Sequence, residues 1–255
     1  PMNALVLARL ALRDRRKRIL ALLAFAGLFL AAAATARLLV SDTDGHVNAD
    51  QLFLIGGYPA VSALLLMGWL LGRFPIIATL VLMAGLFSQD RAEGYTRLYA
   101  VRPASPLRVY GTRFAVLAGV AFAISAVLMP TFDLIMLGTW AGPATLVLIL
   151  SYVLVFGGLV ALFSVWTRAD AWIALLLAVA ALVWDGLRSA GVLAQVPAGA
   201  RDVVTFLLPP QALLYRIEEA FGNIQPIPWD AFLYVAGYGL TALALAAVAL
   251  YRREV

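Results

Sequence analysis

Long apolar runs alternate with short, charge-bearing stretches along this chain. Runs at 19–40, 114–137, 143–166, 171–187 and 231–251 are each nearly free of charge. A bilayer core about 30 Å thick takes roughly 20 apolar residues as one helix, so each run predicts one crossing. The stretch 51–87 is harder. As one straight helix, at about 1.5 Å per residue, it overshoots the bilayer. Split at Arg73-Phe74-Pro75, its second half is short for a span. Gly56-Gly57 and Pro59 argue against an unbroken helix.

Charge decides how often that stretch crosses. With one crossing the chain has six spans, and the Arg-rich N-terminus, the 88–113 loop, Arg168 and the Arg252-Arg253 tail share a side. That side holds 14 of the 19 basic residues. Basic residues collect on the cytoplasmic side of membrane proteins, so six spans with cytoplasmic termini are expected. The second span is placed at 60–87, bent at Pro75, with 51–58 leading into it from outside.

Two further regions stand apart from the spans. In 2–18, Arg9, Arg13 and Arg16/Lys17 recur at helical spacing while Leu5, Ala8, Leu12 and Ile19 mark another face. This fits an amphipathic helix lying in the headgroup layer, and fits equally a positive flank of the first span. The 188–230 segment is too polar to cross. Its apolar clusters at 203–208 and 212–221, separated by Pro209-Pro210, predict two short outer helices, either dipping into the leaflet or lying on the surface. Met2, after Pro1, reads as the natural start.

Composition narrows the function. The 255 residues are 64% hydrophobic and 13% charged, with a mean hydropathy of +0.93. Soluble domains are about half apolar and about a quarter charged, so a soluble enzyme is excluded. No Cys is present, which removes thiol chemistry and disulfides. The only Lys is Lys17, between Arg16 and Arg18, so no P-loop exists here. His46 is the only His, and a site that needs two is out. The formal charge of +5 is accounted for by topology and anionic headgroups, without a nucleic-acid partner.

Asp133 and Asp185 are the acids nearest apolar segments, each about a turn from its span's outer end. Intramembrane acids are functional candidates by default, although at these positions they also reach headgroup water. Together they could form the dyad of an aspartyl-type membrane enzyme, but the Gly-x-Gly-Asp of intramembrane aspartyl proteases is missing, since Leu182-Val183-Trp184 precedes Asp185. A non-transporting receptor or assembly subunit is a third class. Trp140, Trp184 and Trp229 read as interfacial anchors, and Gly157-Gly158 as a close helix crossing.

The most patterned stretch lies between the second and third spans. Asp90-Arg91-Ala92-Glu93-Gly94-Tyr95 opens it with acids suited to a helix N-terminus. Pro103 closes the following segment. Ser105-Pro106 then starts another helix, with Ser at the cap and Pro at the first position. The product is an Arg-rich helix–turn–helix, readable as a docking element or as a solvated connector.

This stretch resembles the corresponding segment of the ABC-2 type permease family. Asp90-Arg91, Glu93, Gly94, Leu98, Pro103 and Ser105 fit the family's pattern, and the interval from Gly94 to Pro103 matches without insertion. Tyr95 stands where the family has Thr, and the Arg that follows Ser is displaced to Arg108. The layout is similar as well, with an interfacial N-terminal helix, six spans, two short outer helices and a basic tail.

The resemblance implies an all-α polytopic permease subunit of an ATP-binding-cassette exporter. Its partners would be cytoplasmic ATPase subunits and a second permease subunit, identical or homologous. ATP and Mg would belong to the ATPase. Residues Asp90, Arg91, Glu93, Gly94, Tyr95, Pro103, Ser105 and Arg108 would form the coupling element seated in the ATPase. No charged pore is evident in the spans, which suits a hydrophobic or amphipathic cargo. The topology gives a direct test. A reporter fused after Val255 is expected to be active only as a cytoplasmic fusion, and activity only in the external compartment would overturn the six-span arrangement.

Overall fold

The computed structural model describes residues 4–40, 49–89, 105–140, 142–222 and 225–254. Helices α1 (Ala4–Asp14), α2 (Arg16–Val40), α3 (Ala49–Met83), α4 (Pro106–Leu137), α5 (Ala144–Ser164) and α6 (Asp170–Ser189) follow one another along the chain. A 3-10 turn (Val192–Gln195) leads to the short helices α7 (Ala198–Leu207) and α8 (Gln211–Gly222), and α9 (Trp229–Glu254) ends the chain. No strand occurs among the described residues. Six helices, α2 to α6 and α9, contain stretches long and apolar enough to cross a membrane. This is the architecture of a polytopic helical membrane protein, with the span count read from the apolar pattern.

Helix α5 is the centre of the bundle. It is apolar around its whole circumference, which is the mark of a buried helix, and it packs against α3, α4, α6, α8 and α9. Its two glycines serve two faces. A Cβ at Gly158 would stand 2.5 Å from the Gly239 carbonyl oxygen, and one at Gly239 would stand 2.6 Å from the Leu154 carbonyl. The backbones of α5 and α9 therefore touch, as small residues permit in membrane helix pairs. On the other side, a Cβ at Gly157 would meet Met83 Sδ at 3.0 Å and Phe114 at 3.3 Å. The outward faces of the spans are apolar too, with Leu28, Trp172, Leu176 and Leu233 exposed. Such a surface belongs in hydrocarbon, since soluble monomers avoid large apolar patches.

Three expectations need correction. Helix α3 runs unbroken from Ala49 to Met83, through Gly56-Gly57, Pro59 and Pro75, with its span-like stretch at Leu66–Met83. Lipid offers backbone groups no alternative partner, so a helix persists through residues that would end it in water. Next to Pro75, the Thr79 hydroxyl donates to the Pro75 carbonyl at 2.7 Å.

The second correction concerns α1. Its buried face is Leu7, Ala11 and the following Arg15, whereas Leu5 and Leu12 are exposed. The element ends at Asp14, yet helical hydrogen bonds continue over the junction, from Arg15 N–H to the Ala11 carbonyl and from Ile19 N–H to the Arg15 carbonyl. The buried face is the one that carries Arg15 to its partner, and hydrophobicity alone does not select it.

The third concerns the 188–230 segment. Two short helices are present, but α7 begins at Ala198, because the Pro197 carbonyl accepts the first helical N–H groups of Ala200 and Arg201. Helix α8 is no surface element. It buries Leu214, Ile217 and Ala220 and packs on α5, α6 and α9.

The α5/α9 contact sets a measurable expectation. Overpacking costs about 1–3 kcal/mol, so Gly158→Ala and Gly239→Ala should each lower the thermal unfolding midpoint of the detergent-solubilised chain. Gly27→Ala, where a Cβ meets nothing within 4 Å, should leave it unchanged or raise it. Equal behaviour of the three variants would show that the crossing is not tight.

Candidate functional site

One end of the bundle gathers polar groups around the C-terminus of α3. The last carbonyls of a helix lack intrahelical partners and carry partial negative charge. Here two arginines from the α1/α2 junction supply the donors. Arg18 Nη1 donates to the carbonyls of Val81 (3.0 Å) and Ala84 (2.7 Å), and Arg15 Nη2 donates to that of Gly85 (3.1 Å). Arg15 is only 2% exposed, and Asp14 lies 3.6 Å from its Nε.

The chain then turns at Gly85, whose φ of 74° is in the left-handed region that favours glycine. The N–H groups freed by that turn find acceptors from the α5/α6 link. Gly85 N–H donates to Asp170 Oδ2 at 2.9 Å, while Phe87 and Ser88 donate to Ser164 Oγ at 2.8 and 3.1 Å. Asp170 is buried at the N-terminus of α6 and also accepts the Ala171 N–H at 2.7 Å. The leading end of the patterned segment is thus held by residues from three helices and by Arg15 of the α1/α2 junction.

Its trailing end is held at the same place. Ser105 caps α4, with its side chain accepting the Arg108 N–H at 3.3 Å and Pro106 in the first turn, as the motif predicts. Two turns into α4, Arg113 forms an ion pair with Asp14. Arg108 itself is exposed, on the first turn of α4. Asp90, Arg91, Glu93, Gly94, Tyr95 and Pro103 lie outside the described residues. The structure therefore places the two anchors of this segment, both on the junction at residues 14–18.

A second polar constellation sits within the spans. Arg73, inside the Leu66–Met83 stretch of α3, donates from Nη1 to both carboxylate oxygens of Glu218 on α8, each at 2.7 Å. The same nitrogen bonds the Tyr152 hydroxyl of α5 at 2.9 Å, and that hydroxyl lies 3.4 Å from Glu218 Oε2. The guanidinium carbon is 6.0 Å from the Tyr152 ring centroid. Tyr152 is fully buried, so the pair is shielded from bulk water on that side. Sequence reasoning weighed and rejected a break at Arg73, kept it inside the 60–87 span without asking for its partner, and passed over Glu218. An ionisable residue inside a span is a reason to look for a partner, and the 212–221 segment offered two acids, Glu218 and Glu219.

The two candidate acids part company. Asp133 does not reach headgroup water: it is 4% exposed, inside the bundle on α4. Beside it, Arg37 of α2 donates to the Leu134 and Ile135 carbonyls near the C-terminus of α4. Asp185 is half-buried on α6, which does not pack closely on α4, and no hydrogen bond joins the two carboxylates. Trp140 and Trp229 are exposed as expected of anchors, but Trp184 turns inward and donates to Thr205 Oγ1 at 3.0 Å. Among the described residues no cluster of His, Cys, Asp and Glu is arranged to hold a metal ion.

No family model matches the sequence, and neither a characterised protein nor a solved structure is detectably similar to it.

The Arg73 constellation carries a thermodynamic expectation. Both side chains are half-buried. Breaking a fully buried pair costs about 3–5 kcal/mol, so removing one member here should cost part of that, whereas an apolar replacement of both is closer to neutral. Arg73→Ala should therefore destabilise the chain in detergent unfolding, and the Arg73→Met, Glu218→Met double variant should recover most of the loss. A double variant no more stable than Arg73→Ala would show that the loss does not come from an uncompensated Glu218 charge.

Proposed function

We propose that this chain is the permease subunit of an ATP-binding-cassette exporter of ABC-2 type, moving a hydrophobic or amphipathic substrate with ATP hydrolysed by a separate ATPase. The observation that carries the reading is the double anchorage of the 90–104 segment. A connector between two spans needs only to reach. This one is tied before it begins and after it ends to the same junction, by Arg15 and Arg18 on one side and by Asp14 with Arg113 on the other. A segment mounted in this way transmits a push to α1 and α2. Through Asp170 and Ser164 it transmits the same push to α5 and α6.

In this reading both termini and the anchored segment face the cytoplasm, and the acids Asp90 and Glu93 meet basic or amide groups of the ATPase. Gly94 allows close backbone approach, while Pro103, Ser105 and Arg108 set the return into α4. ATPase closure displaces the segment, and one six-span subunit rocks against a second as a rigid body. Nucleotide and Mg stay with the ATPase, which fits a chain whose only Lys is Lys17. Helix α1 contributes a membrane contact. Its exposed Leu5, Val6 and Leu10 enter the headgroup layer, and the exposed Arg9, Arg13, Arg16 and Lys17 meet anionic lipid.

The test compares Glu93→Ala, Gly94→Ala and Gly94→Val with the parent, reading co-purified ATPase and its turnover in lipid. Truncating one partner of a buried charge-assisted contact costs about 2–5 kcal/mol. Glu93→Ala should therefore lose ATPase or uncouple it while inserting normally, and Gly94→Val should be worse than Gly94→Ala. A plain connector would show changes within about half a kcal/mol for all three, and parent-like behaviour throughout would remove the reading's main support.

A further inference from the structure

Helices α6 and α9 both lie against α5 but do not pack closely on each other. The gap between them is an apolar cleft of about 510 Å³, backed by Leu162 and Phe163, flanked by Leu177 and Leu245, and bounded by Phe206 and Leu207 of α7. That volume lies within the range of small-molecule sites, about 300–1,000 Å³. The Tyr238 hydroxyl donates to the Leu207 carbonyl at 3.0 Å, fixing the end of α7 over the cleft.

Past this lintel lies a second cavity of about 150 Å³. The two share Tyr234 and are separated only by the 206–209 link. Along α6 they are consecutive: Leu177 faces the cleft, and Ala181, Asp185 and Arg188 face the second cavity over the next turns. This is the end of the bundle opposite the α1/α2 junction.

The second cavity is chemically unlike the cleft. Gln211 lines it and is only 6% exposed, yet its side-chain amide bonds to no described residue. Asp185, half-buried, and Arg188, exposed at the cavity's edge, stand three residues apart on one face of α6 and make no ion pair or side-chain hydrogen bond with a described residue. By contrast, Arg73 and Glu218 pair with each other and Asp170 accepts backbone N–H groups. The amide of this otherwise buried Gln211 opens onto the cavity, so what the cavity holds completes its hydrogen bonds. An acid, a base and an amide set around a small cavity, opening beside an apolar cleft, together describe an amphipathic ligand with opposite charges at its head.

We propose that this composite cavity binds a phospholipid whose zwitterionic headgroup carries a primary ammonium. An acyl chain occupies the cleft between α6 and α9. The ammonium donates to the Asp185 carboxylate and the Gln211 amide oxygen, and the phosphate meets the Arg188 guanidinium. A choline headgroup has no N–H to donate, and a glycerol headgroup brings no positive charge to Asp185. The site therefore selects by headgroup and tolerates variation in chain. It needs only this chain and a bilayer, so it stands or falls separately from the permease reading.

The experiment presents the purified full-length chain with equimolar phosphatidylethanolamine, phosphatidylcholine and phosphatidylglycerol of matched acyl chains, and reads the retained lipid by native mass spectrometry. The parent should retain phosphatidylethanolamine roughly tenfold over the other two, the scale of one well-made charged contact. Asp185→Asn and Gln211→Leu should each bring that ratio toward one. Leu245→Trp, which fills the cleft, should lower retention of all three lipids, whereas Val248→Trp on the exposed face of α9 should not. Equal retention by the parent, or a preference that survives both headgroup variants, overturns the proposal. So does a dimer that Leu245→Trp dissociates, because a second copy would then occupy the cleft.

Discussion

A guanidinium inside an apolar helix cannot be left to hydrocarbon, and the rest of this bundle is arranged around that constraint. Arg73 is too far from either end of its span to snorkel easily, so its partners have to come from the interior. Tyr152 supplies a hydroxyl from the central helix. Glu218 supplies the countercharge, and to do so α8 has to descend between α5, α6 and α9. The apolar face of α8, with Leu214 and Ile217 buried, makes that position compatible with the membrane. An amphipathic helix of this length would otherwise rest at an interface. Here its buried apolar face and its ion pair together tie it to the core.

The opposite end of α3 shows the same chemistry under different geometry. There the arginines answer backbone carbonyls, and Asp170 and the Ser164 hydroxyl answer backbone N–H groups released by the turn at Gly85. Polar side chains from the α1/α2 junction and the α5/α6 link thus finish a helix that lipid would leave open. Because Arg15 and Arg18 hold the end of α3 while neighbouring Asp14 pairs with Arg113 of α4, the end of one helix and the start of the next rest on the same junction.

The spans were legible because each needs a long apolar run, and that requirement leaves few alternatives in a chain of this composition. Ser105 and Pro106 were legible as a helix start, since cap chemistry is local. Gly157-Gly158 could be read as a close contact, though not which helix each glycine met. What failed were features decided at long range. The continuity of α3 through two prolines depends on the absence of competing solvent. The buried face of α1 depends on where Gly85 lies, and the depth of α8 depends on Arg73. Of the expected coupling residues only Ser105 and Arg108 fall among those described, and they are the ones nearest the anchored helix. Asp133 and Asp185 looked alike in sequence because each sits near a span end. Burial separated them, and burial is a property of neighbours.

The ion pair of Arg73 and Glu218 also imposes an order on biogenesis. The two residues are 145 positions apart, so during synthesis α3 enters the bilayer long before its countercharge has left the ribosome. On insertion scales a central arginine costs about 2.5–3.5 kcal/mol, which an 18-residue apolar stretch has to carry alone in the interval. Membrane integration of α3 is provisional until α8 arrives. The second span waits for an element made near the end of the chain, and a chain truncated ahead of Glu218 leaves Arg73 without its countercharge.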